Sequence, residues 1–194
     1  MLNIQNKKII LASKSPRRHE LLKGMGIEYS VLVKEVDEVF PLHLKADEIA
    51  LYLSKLKSDV FTDSDIDEDT IVITADTIVW IKDTCLGKPV DVEDARSILK
   101  LLSANKHTVY TGVCLRDKYK QKSFCVKTDV YFKALTESEI EYYINTYKPF
   151  DKAGSYGVQE WIGFVAIDRI EGSFYNVMGL PTKELYEELI LFAE

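Results

Sequence analysis

The stretch Thr70–Trp80, with the sequence TIVITADTIVW, places the strongest constraint on the fold of this chain. It is a nearly continuous run of β-branched and other apolar residues. Such runs are typical of strands that are buried on both faces, as in parallel sheets covered by helices on each side. The stretch therefore predicts a central strand in an α/β fold.

Asp76 and Thr77 interrupt this apolar run. An ionised carboxylate inside a buried strand is energetically costly unless it is paired with a cation or bound to a metal. We therefore expect Asp76 to serve as a general base or as a magnesium ligand that faces a phosphate. The alternative is a structural acid at the end of a strand, where it caps a loop.

The sequence LASKSPRRHELL near the start of the chain predicts a strand, a tight turn and a helix. The strand is Ile9–Ala12, Ser15 is a preferred N-cap residue, and Pro16 suits the first helical position. A helix N-terminus attracts anions, and the guanidinium groups of Arg17 and Arg18 match phosphate oxygens. The element predicts a phosphate site; the alternative is an ordinary capped helix with two solvated arginines.

Hydrophobic periodicity and turn residues divide the rest of the chain into further elements. The predicted helices are Asp47–Val60, Val92–Ser103, Thr136–Tyr147 and Pro181–Leu191. The predicted strands are Ile27–Val33, His107–Arg116, Lys122–Leu135 and Trp161–Ile170, and the predicted loops are Asp151–Gln159 and Gly172–Pro181. Strands and helices alternate first and strands cluster later, so we expect an α/β fold with a mixed sheet.

Three further charged residues are candidates for the same site. Glu38 lies in an acidic loop and would complete a metal site with Asp76. Lys88 lies between a glycine and a proline in a tight turn, which suits a phosphate contact. Both have an alternative as ordinary surface residues, and the helical position of Lys57 by itself favours a solvated side chain.

Several other chemistries lack the residues that they need. The acidic segment TDSDIDED does not have the glycine and the final acid of a calcium loop, so it is read as a surface loop. His19, His43 and His107 form no zinc pattern, and we expect His107 to be structural. The sequence contains no nucleophile elbow, Walker motif or dinucleotide-binding glycine motif.

Composition limits the partners and the compartment. The 194 residues carry a net charge of −6 with no basic tail, which argues against general nucleic-acid binding. A basic cluster on an acidic protein indicates a small anionic ligand instead. The three cysteines have no metal spacing, and no stretch is long and apolar enough for a signal peptide or a membrane span. We expect a cytoplasmic protein without membrane contact.

Six motifs in this order resemble the Maf family of nucleoside triphosphate pyrophosphatases. They are LASKSPRR (Leu11–Arg18), ADT (Ala75–Thr77), GKP (Gly87–Pro89), YTGV (Tyr110–Val113), DKAGSYGVQ (Asp151–Gln159) and GSFYNVMGLP (Gly172–Pro181). The resemblance runs nearly end to end and implies a single domain over residues 1–194. It implies the inosine triphosphatase-like (Maf/Ham1) α/β fold, with an elongated mixed sheet, two lobes around a central cleft, and often a homodimer.

The resemblance also implies an activity. Members of the subgroup that it matches hydrolyse dTTP and UTP to the monophosphate and pyrophosphate, with a house-cleaning role against non-standard nucleotides. On this basis Asp76 is the catalytic proton acceptor, and Asp76 and Glu38 hold Mg²⁺ or Mn²⁺. The residues that the resemblance assigns to the substrate are Ser13, Arg17, Arg18, Lys57, Thr77, Lys88, Lys152 and Gln159. Arg17, Thr77 and Gln159 among them are the positions of base specificity.

Two alternatives to this activity stay open at the level of sequence. One is the 7-methyl-GTP subgroup of the same family, and the other is a nucleotide-binding regulator of cell division that does not turn over its ligand. Lys14 and Glu160 depart from the family pattern, which usually has a small residue and a glycine at these positions. Both departures lie at the edges of motifs and bear on fine specificity more than on activity.

Overall fold

The framework of the protein is a seven-stranded mixed sheet. The structure, a computed structural model, describes Ile4 and residues 7–194. The strands are β1 (Lys8–Leu11), β2 (Ser30–Val31), β3 (Thr70–Ile81), β4 (Thr84–Leu86), β5 (Lys106–Arg116), β6 (Gln121–Phe132) and β7 (Ile167–Glu171). Their order is β2-β1-β3-β5-β6-β7, with β4 beside β3. The first three strands are parallel and the other pairs antiparallel, so the predicted α/β fold with a mixed sheet is confirmed. The division into two lobes stays a prediction.

Strand β3 is the central strand that the apolar run predicts, and one of its edges is only partly paired. Strand β5 pairs with residues 72–80 along one edge. The other edge pairs with β1 at residues 70–73 and with β4 at residues 79–81. Between these two, residues 74–78 have no strand partner on that edge within the described part of the chain. Asp76 and Thr77 therefore border an opening in the sheet.

Helices cover both faces of the sheet. Those in the described residues are α1 (Pro16–Gly24), α2 (Asp47–Asp59), α3 (Val92–Leu102), α4 (Glu137–Tyr147), α5 (Trp161–Ala166), α6 (Phe174–Met178) and α7 (Thr182–Ala193). Helix α2 packs over β3, β5 and β6, while the larger apolar core on the opposite face includes side chains of α1, α3, α4 and α7. None of the helices from residue 7 onward is of the length and apolar character that a membrane span requires.

A close approach between backbones fixes the position of α2. Gly112 on β5 is the register partner of Asp76 on β3. A Cβ atom at Gly112 would lie 2.2 Å from the carbonyl oxygen of Ala50, so only glycine lets α2 come this near. The hydroxyl of Thr74 also donates to the carbonyl oxygen of Ser54 at 2.7 Å. These contacts hold α2 close enough to the sheet for a side chain of its last turn to contact Asp76.

Three of the predicted elements are wrong. Trp161–Ile170 is a helical turn, α5, followed by the short strand β7, because only residues from 167 onward pair with β6. Gly163 permits this turn, since a Cβ there would lie 1.8 Å from the carbonyl oxygen of Val158. The predicted strand Ile27–Val33 shrinks to the two residues that pair with β1. The predicted loop Gly172–Pro181 contains α6, which Ser173 caps.

His107 lies in the core, in agreement with the structural role expected for it. Its ring packs edge-on against Phe132 and Tyr156, and its Nε2 lies 2.7 Å from the Tyr156 hydroxyl. Burial lowers the pKa of His107 to about 4. The imidazole is therefore neutral at neutral pH and takes no part in a charged site.

Candidate active site

A cleft of about 860 Å³ opens at the unpaired edge of β3. Its walls come from the β1–α1 turn, the loop after β2, the last turn of α2, the turn after β4, and the segments 151–159 and 177–179. The residues that the sequence analysis proposed for the site all line it: Ser13, Arg17, Arg18, Glu38, Lys57, Asp76, Thr77, Lys88, Lys152 and Gln159. Because β-strand side chains alternate between faces, Asp76 and Thr77 point to opposite sides of the sheet.

Arg18 is fixed in the wall of the cleft by three contacts. Its guanidinium donates to the carbonyl oxygen of Gly179 at 2.8 Å, to the Thr77 hydroxyl at 3.1 Å, and to the Ser13 hydroxyl at 3.4 Å. Burial lowers the pKa of Arg18, and the charge of Asp76 opposes this shift. A guanidinium held in this way offers a preorganised cation to an anionic ligand.

The start of α1 departs in one detail from the prediction. Ser15 occupies the N-cap position and Pro16 follows it, as expected, but the Ser15 side chain makes no capping hydrogen bond. Ser13 contributes instead, because its hydroxyl accepts the backbone N–H of Ser15 at 3.2 Å. The Ser13 hydroxyl thus organises both the turn and Arg18.

Thr77 belongs to a buried polar chain that the sequence analysis missed. Its hydroxyl lies 2.9 Å from the hydroxyl of Thr111, which also contacts the carbonyl oxygen of Asn176 at 3.1 Å. The amide of Asn176 in turn donates to β5 and β6. This chain holds Thr77 against Arg18. The polar positions in the YTGV and GSFYNVMGLP motifs were the available signal.

The opposite face of β3 carries the Asp76 network, which comprises Glu38, Lys57 and Asp76. The ammonium of Lys57 lies 2.5 Å from Asp76 Oδ1 and 2.9 Å from Glu38 Oε1. Burial by itself would raise the pKa of Glu38, but Lys57, Lys88 and Arg18 outweigh it and lower that pKa. Lys57 is therefore a partner of both acids, and the interpretation of its side chain as merely solvated is wrong.

The donor set of the Asp76 network fits a hard divalent cation. Two carboxylates, from Asp76 and Glu38, converge on one ammonium group. Among the described residues no cluster of three or more His, Cys, Asp or Glu side chains could hold a metal by itself. Mg²⁺ is commonly bound by one or two carboxylates together with substrate phosphates and water, so a fuller protein cage is not required.

The face of β3 that carries Thr77 also faces the Asp151 network, which comprises Arg17, Asp151, Lys152 and Glu160. The carboxylate of Asp151 accepts hydrogen bonds from the guanidinium of Arg17 at 3.1 Å and from the ammonium of Lys152 at 2.7 Å. The Lys152 ammonium also lies 3.1 Å from the carboxylate of Glu160. Burial raises the pKa of Asp151, but Lys152 and Arg17 outweigh it, so the pKa is lowered overall. The 3₁₀ turn Ala153–Ser155 follows, and its Gly154 N–H donates to the Gly87 carbonyl oxygen beside Lys88.

Gln159 lies next to this network with an unpaired acceptor. Its side-chain oxygen Oε1 is buried and has no hydrogen-bond partner among the described residues. Buried polar atoms are normally paired, so this oxygen, on a residue that lines the cleft, is a candidate partner for a ligand donor. Asp151, Glu160 and Tyr143 near Gln159 were not among the predicted site residues.

Comparison with known proteins agrees with this arrangement. The family model described as "Maf-like protein" matches residues 8–192. A dTTP/UTP pyrophosphatase of Phocaeicola vulgatus is 50% identical over 96% of this chain and 97% of its own length. A dTTP/UTP pyrophosphatase of Porphyromonas gingivalis is 46% identical over 99% of this chain and 98% of its own.

The comparison with solved structures gives the Staphylococcus aureus Ham1 protein, with a TM-score of 0.48 and 14% sequence identity over 65% of this chain and 72% of that one. Both the family model and the relatives cover nearly the whole chain, including each segment that lines the cleft. The chain therefore belongs to the Maf-like protein family.

Proposed function

We propose that this protein is a nucleoside triphosphate pyrophosphatase that hydrolyses dTTP and UTP to the monophosphate and pyrophosphate. The observation that carries the proposal is the convergence, in one cleft, of a carboxylate pair bridged by Lys57 with four further cationic site residues, Arg17, Arg18, Lys88 and Lys152. Relatives that are 50% identical over nearly the whole chain are named dTTP/UTP pyrophosphatases, which supports the same substrate class.

Hydrolysis requires a base beside the attacking water. In the proposed mechanism Asp76 takes a proton from a water molecule whose oxygen bonds to the α-phosphorus, and the bond from that phosphorus to the bridging oxygen breaks. Lys57 contacts Oδ1 of Asp76, so Oδ2 is the oxygen that takes the proton. General-base assistance of this kind contributes about 10²–10⁴-fold to rate.

Charge develops on the pyrophosphate that leaves. Arg18, held at Gly179 and Thr77, and Lys88, in the turn after β4, are the cations that we assign to it. Preorganised donors stabilise such charge without further rearrangement. We further propose that Asp76 and Glu38 hold a Mg²⁺ or Mn²⁺ ion, which when bound supplies additional neutralisation of the phosphate oxygens.

We assign selection of the base to the wall of the cleft that contains Gln159, on the face of β3 opposite Asp76. The unpaired Oε1 of Gln159 is an acceptor for the N3–H group of uracil or thymine. The hydroxyl of Thr77 already contacts Arg18 and Thr111, so we assign Thr77 to the support of Arg18 rather than to the base. The three free cysteines agree with a cytoplasmic enzyme, which is part of the same proposal.

Turnover of a nucleotide panel tests the proposal. We expect pyrophosphate release from dTTP and UTP with Mg²⁺, and slower release from CTP, GTP and 7-methyl-GTP. In ¹⁸O-labelled water the label should enter the monophosphate, because the attack is on the α-phosphorus. Binding of these nucleotides without product would favour a regulator, and a preference for 7-methyl-GTP would assign the other subgroup.

A further inference from the structure

Glu160 stands in the Asp151 network without a part in the proposed reaction. Its carboxylate is bound from two sides: Oε1 lies 3.1 Å from the Lys152 ammonium, and Oε2 accepts the hydroxyl of Tyr143. Its backbone N–H donates to the carbonyl oxygen of Gly157 at 3.0 Å. Glu160 thus joins the 151–155 segment, helix α4 and the turn that carries Gln159.

Glu160 is the better shielded of the two acids that hold Lys152. The Lys152 side chain is only 8% exposed, and the side chains of Glu160 and Asp151 are 18% and 58% exposed. Ion pairs shielded from water interact more strongly than exposed ones, and Asp151 is also shared with Arg17. Glu160 therefore provides the ion pair of Lys152 that water screens less, and the charge of Lys152 is compensated within the network.

Tyr143 makes this arrangement rigid. Its side chain is fully buried, and its hydroxyl accepts the backbone N–H of Gly157 at 2.9 Å while it donates to Glu160. Burial and the carboxylate of Glu160 both raise the pKa of Tyr143, so the hydroxyl stays protonated and remains a donor. One tyrosine hydroxyl thus anchors both ends of the turn from Gly157 to Glu160.

Gln159 is packed within this turn. A Cβ atom built on Gly157 would lie 2.8 Å from Glu160 Cδ and 3.1 Å from Gln159 Nε2. The side chains of Gln159 and Glu160 therefore lie over the same glycine, and a displacement of one moves the other. We infer that Glu160, through Lys152 and Tyr143, is a positioning residue that sets the orientation of the Gln159 amide for base recognition. The inference rests on the proposed function, because it concerns the selection of the base.

A set of variants distinguishes a positioning role of Glu160 from an effect of its negative charge alone. Glu160→Ala removes both the carboxylate and its contacts, whereas Glu160→Gln removes the charge and keeps the shape. Tyr143→Phe removes the hydroxyl that anchors the turn, and Tyr142→Phe is its matched control, since Tyr142 is the neighbouring residue on α4 and is 48% exposed. For each protein we would measure the melting temperature, kcat and KM with dTTP, and the dissociation constants of α,β-methylene-dTTP and α,β-methylene-dGTP.

Positioning predicts a specific pattern. Glu160→Ala and Tyr143→Phe should each raise KM and the dissociation constant for the thymidine nucleotide about tenfold, with kcat changed by less than about threefold. The guanosine analogue should be affected less, and Tyr142→Phe should equal wild type. Glu160→Gln should lie between wild type and Glu160→Ala, because it keeps the shape of the side chain and loses the ion pair with Lys152. The effect of the double variant Glu160→Ala/Tyr143→Phe should be smaller than the sum of the single effects, since the two residues share one hydrogen bond.

Other outcomes overturn the inference. If Glu160→Ala and Glu160→Gln change KM and the dissociation constants equally, or if both bind nucleotide more tightly, Glu160 acts through its charge and is not a positioning residue. A loss of kcat at constant KM would make it a structural residue only. If Glu160→Ala does not fold, the contrast between Tyr143→Phe and Tyr142→Phe decides.

Results with the wild-type protein test the proposed function independently of the inference about Glu160. Wild-type protein that neither binds nor cleaves dTTP or UTP removes both the function and this inference. Wild-type protein that prefers another nucleotide corrects the function alone, and the same variants are then compared on that nucleotide. Normal wild-type turnover with unchanged variants removes the inference alone.

Discussion

The cleft contains two ionic networks on opposite faces of β3, and they are built in different ways. In the Asp76 network the acid lies on the central strand, and its lysine lies on a helix that Gly112 and Thr74 hold close to the sheet. In the Asp151 network the charged residues come from the start of α1 and from the irregular segment 151–160, which Tyr143 anchors. Regular elements place groups more precisely, and loops vary more readily. The first network suits chemistry and the second suits recognition.

The largest effect is expected when the Asp76 network loses its base. Asp76→Asn keeps the shape of the side chain but cannot take a proton, so turnover of dTTP should fall by about 10³-fold. The order of the nucleotide affinities should not change, and Lys57 keeps its contact with Glu38. Pyrophosphate release measures the loss, and Asp83→Asn, at an exposed turn, is the control. Wild-type release from the Asp76→Asn variant would exclude Asp76 as the base.

Lys57 is the next test of the same network. Lys57→Met should reduce kcat by roughly 10²-fold, because the variant removes the ammonium group that holds the carboxylates of Asp76 and Glu38 in position. Lys55→Met is a matched control on the same helix, since Lys55 is 55% exposed and pairs with Asp59, also on α2. Steady-state kinetics at saturating Mg²⁺ would compare the two. Equal behaviour of the two variants would contradict the role of Lys57.

Gln159, which adjoins the Asp151 network, should respond differently. Gln159→Glu keeps an oxygen that can accept the N3–H group, but it removes the amide donor and places a negative charge in a poorly solvated position next to Glu160. We expect kcat/KM for dTTP and UTP to fall roughly thirtyfold, which corresponds to about 2 kcal/mol for an unsatisfied buried group. The value for GTP should change less. An unchanged ranking across the nucleotides would remove Gln159 from recognition.

The smallest effect concerns stability and pH. The pKa of Asp151 is lowered in the folded protein, so its ion pairs stabilise the fold above the pKa of an unfolded Asp, which is about 3.9. This contribution is lost as the pH falls through the lowered value. Asp151 is 58% exposed, so Asp151→Asn should cost less than about 1 kcal/mol at pH 7.

Urea unfolding at several pH values measures this difference in the free energy of unfolding. The gap between Asp151→Asn and the wild type should close as the pH falls below about 4. A gap that widens toward acid pH would contradict the direction of the pKa shift.

The sequence predicted the parts of the molecule that depend on local pattern. The strand around Asp76 and the turn before α1 follow from an apolar run and from cap residues, and the structure confirms both elements. The segment Trp161–Ile170 was misassigned because a short apolar run does not distinguish a helical turn from a strand. Close packing at Gly163 decides between them, and this packing involves the preceding turn rather than the run itself.

The site could be predicted only in part for a similar reason. Each motif supplied its charged residues, but the partners of these residues come from distant segments. Lys57 is 19 residues from Asp76 along the chain, and Arg18 is 161 residues from Gly179. Tyr143 carries no signal of its own in the sequence, and Glu160 is visible there only as a departure from the family pattern. Their importance arises from their contacts with Gly157 and Lys152.

The most direct test of the division between the two networks measures binding and turnover in the same two variants. For Asp76→Asn and Gln159→Glu we would determine kcat, and the dissociation constants of non-cleavable dTTP, UTP and GTP analogues. The account predicts that Asp76→Asn loses turnover and keeps the order of affinity for the three analogues. Gln159→Glu should lose that order and keep kcat on the nucleotides that it still binds. Loss of both properties in both variants would contradict it.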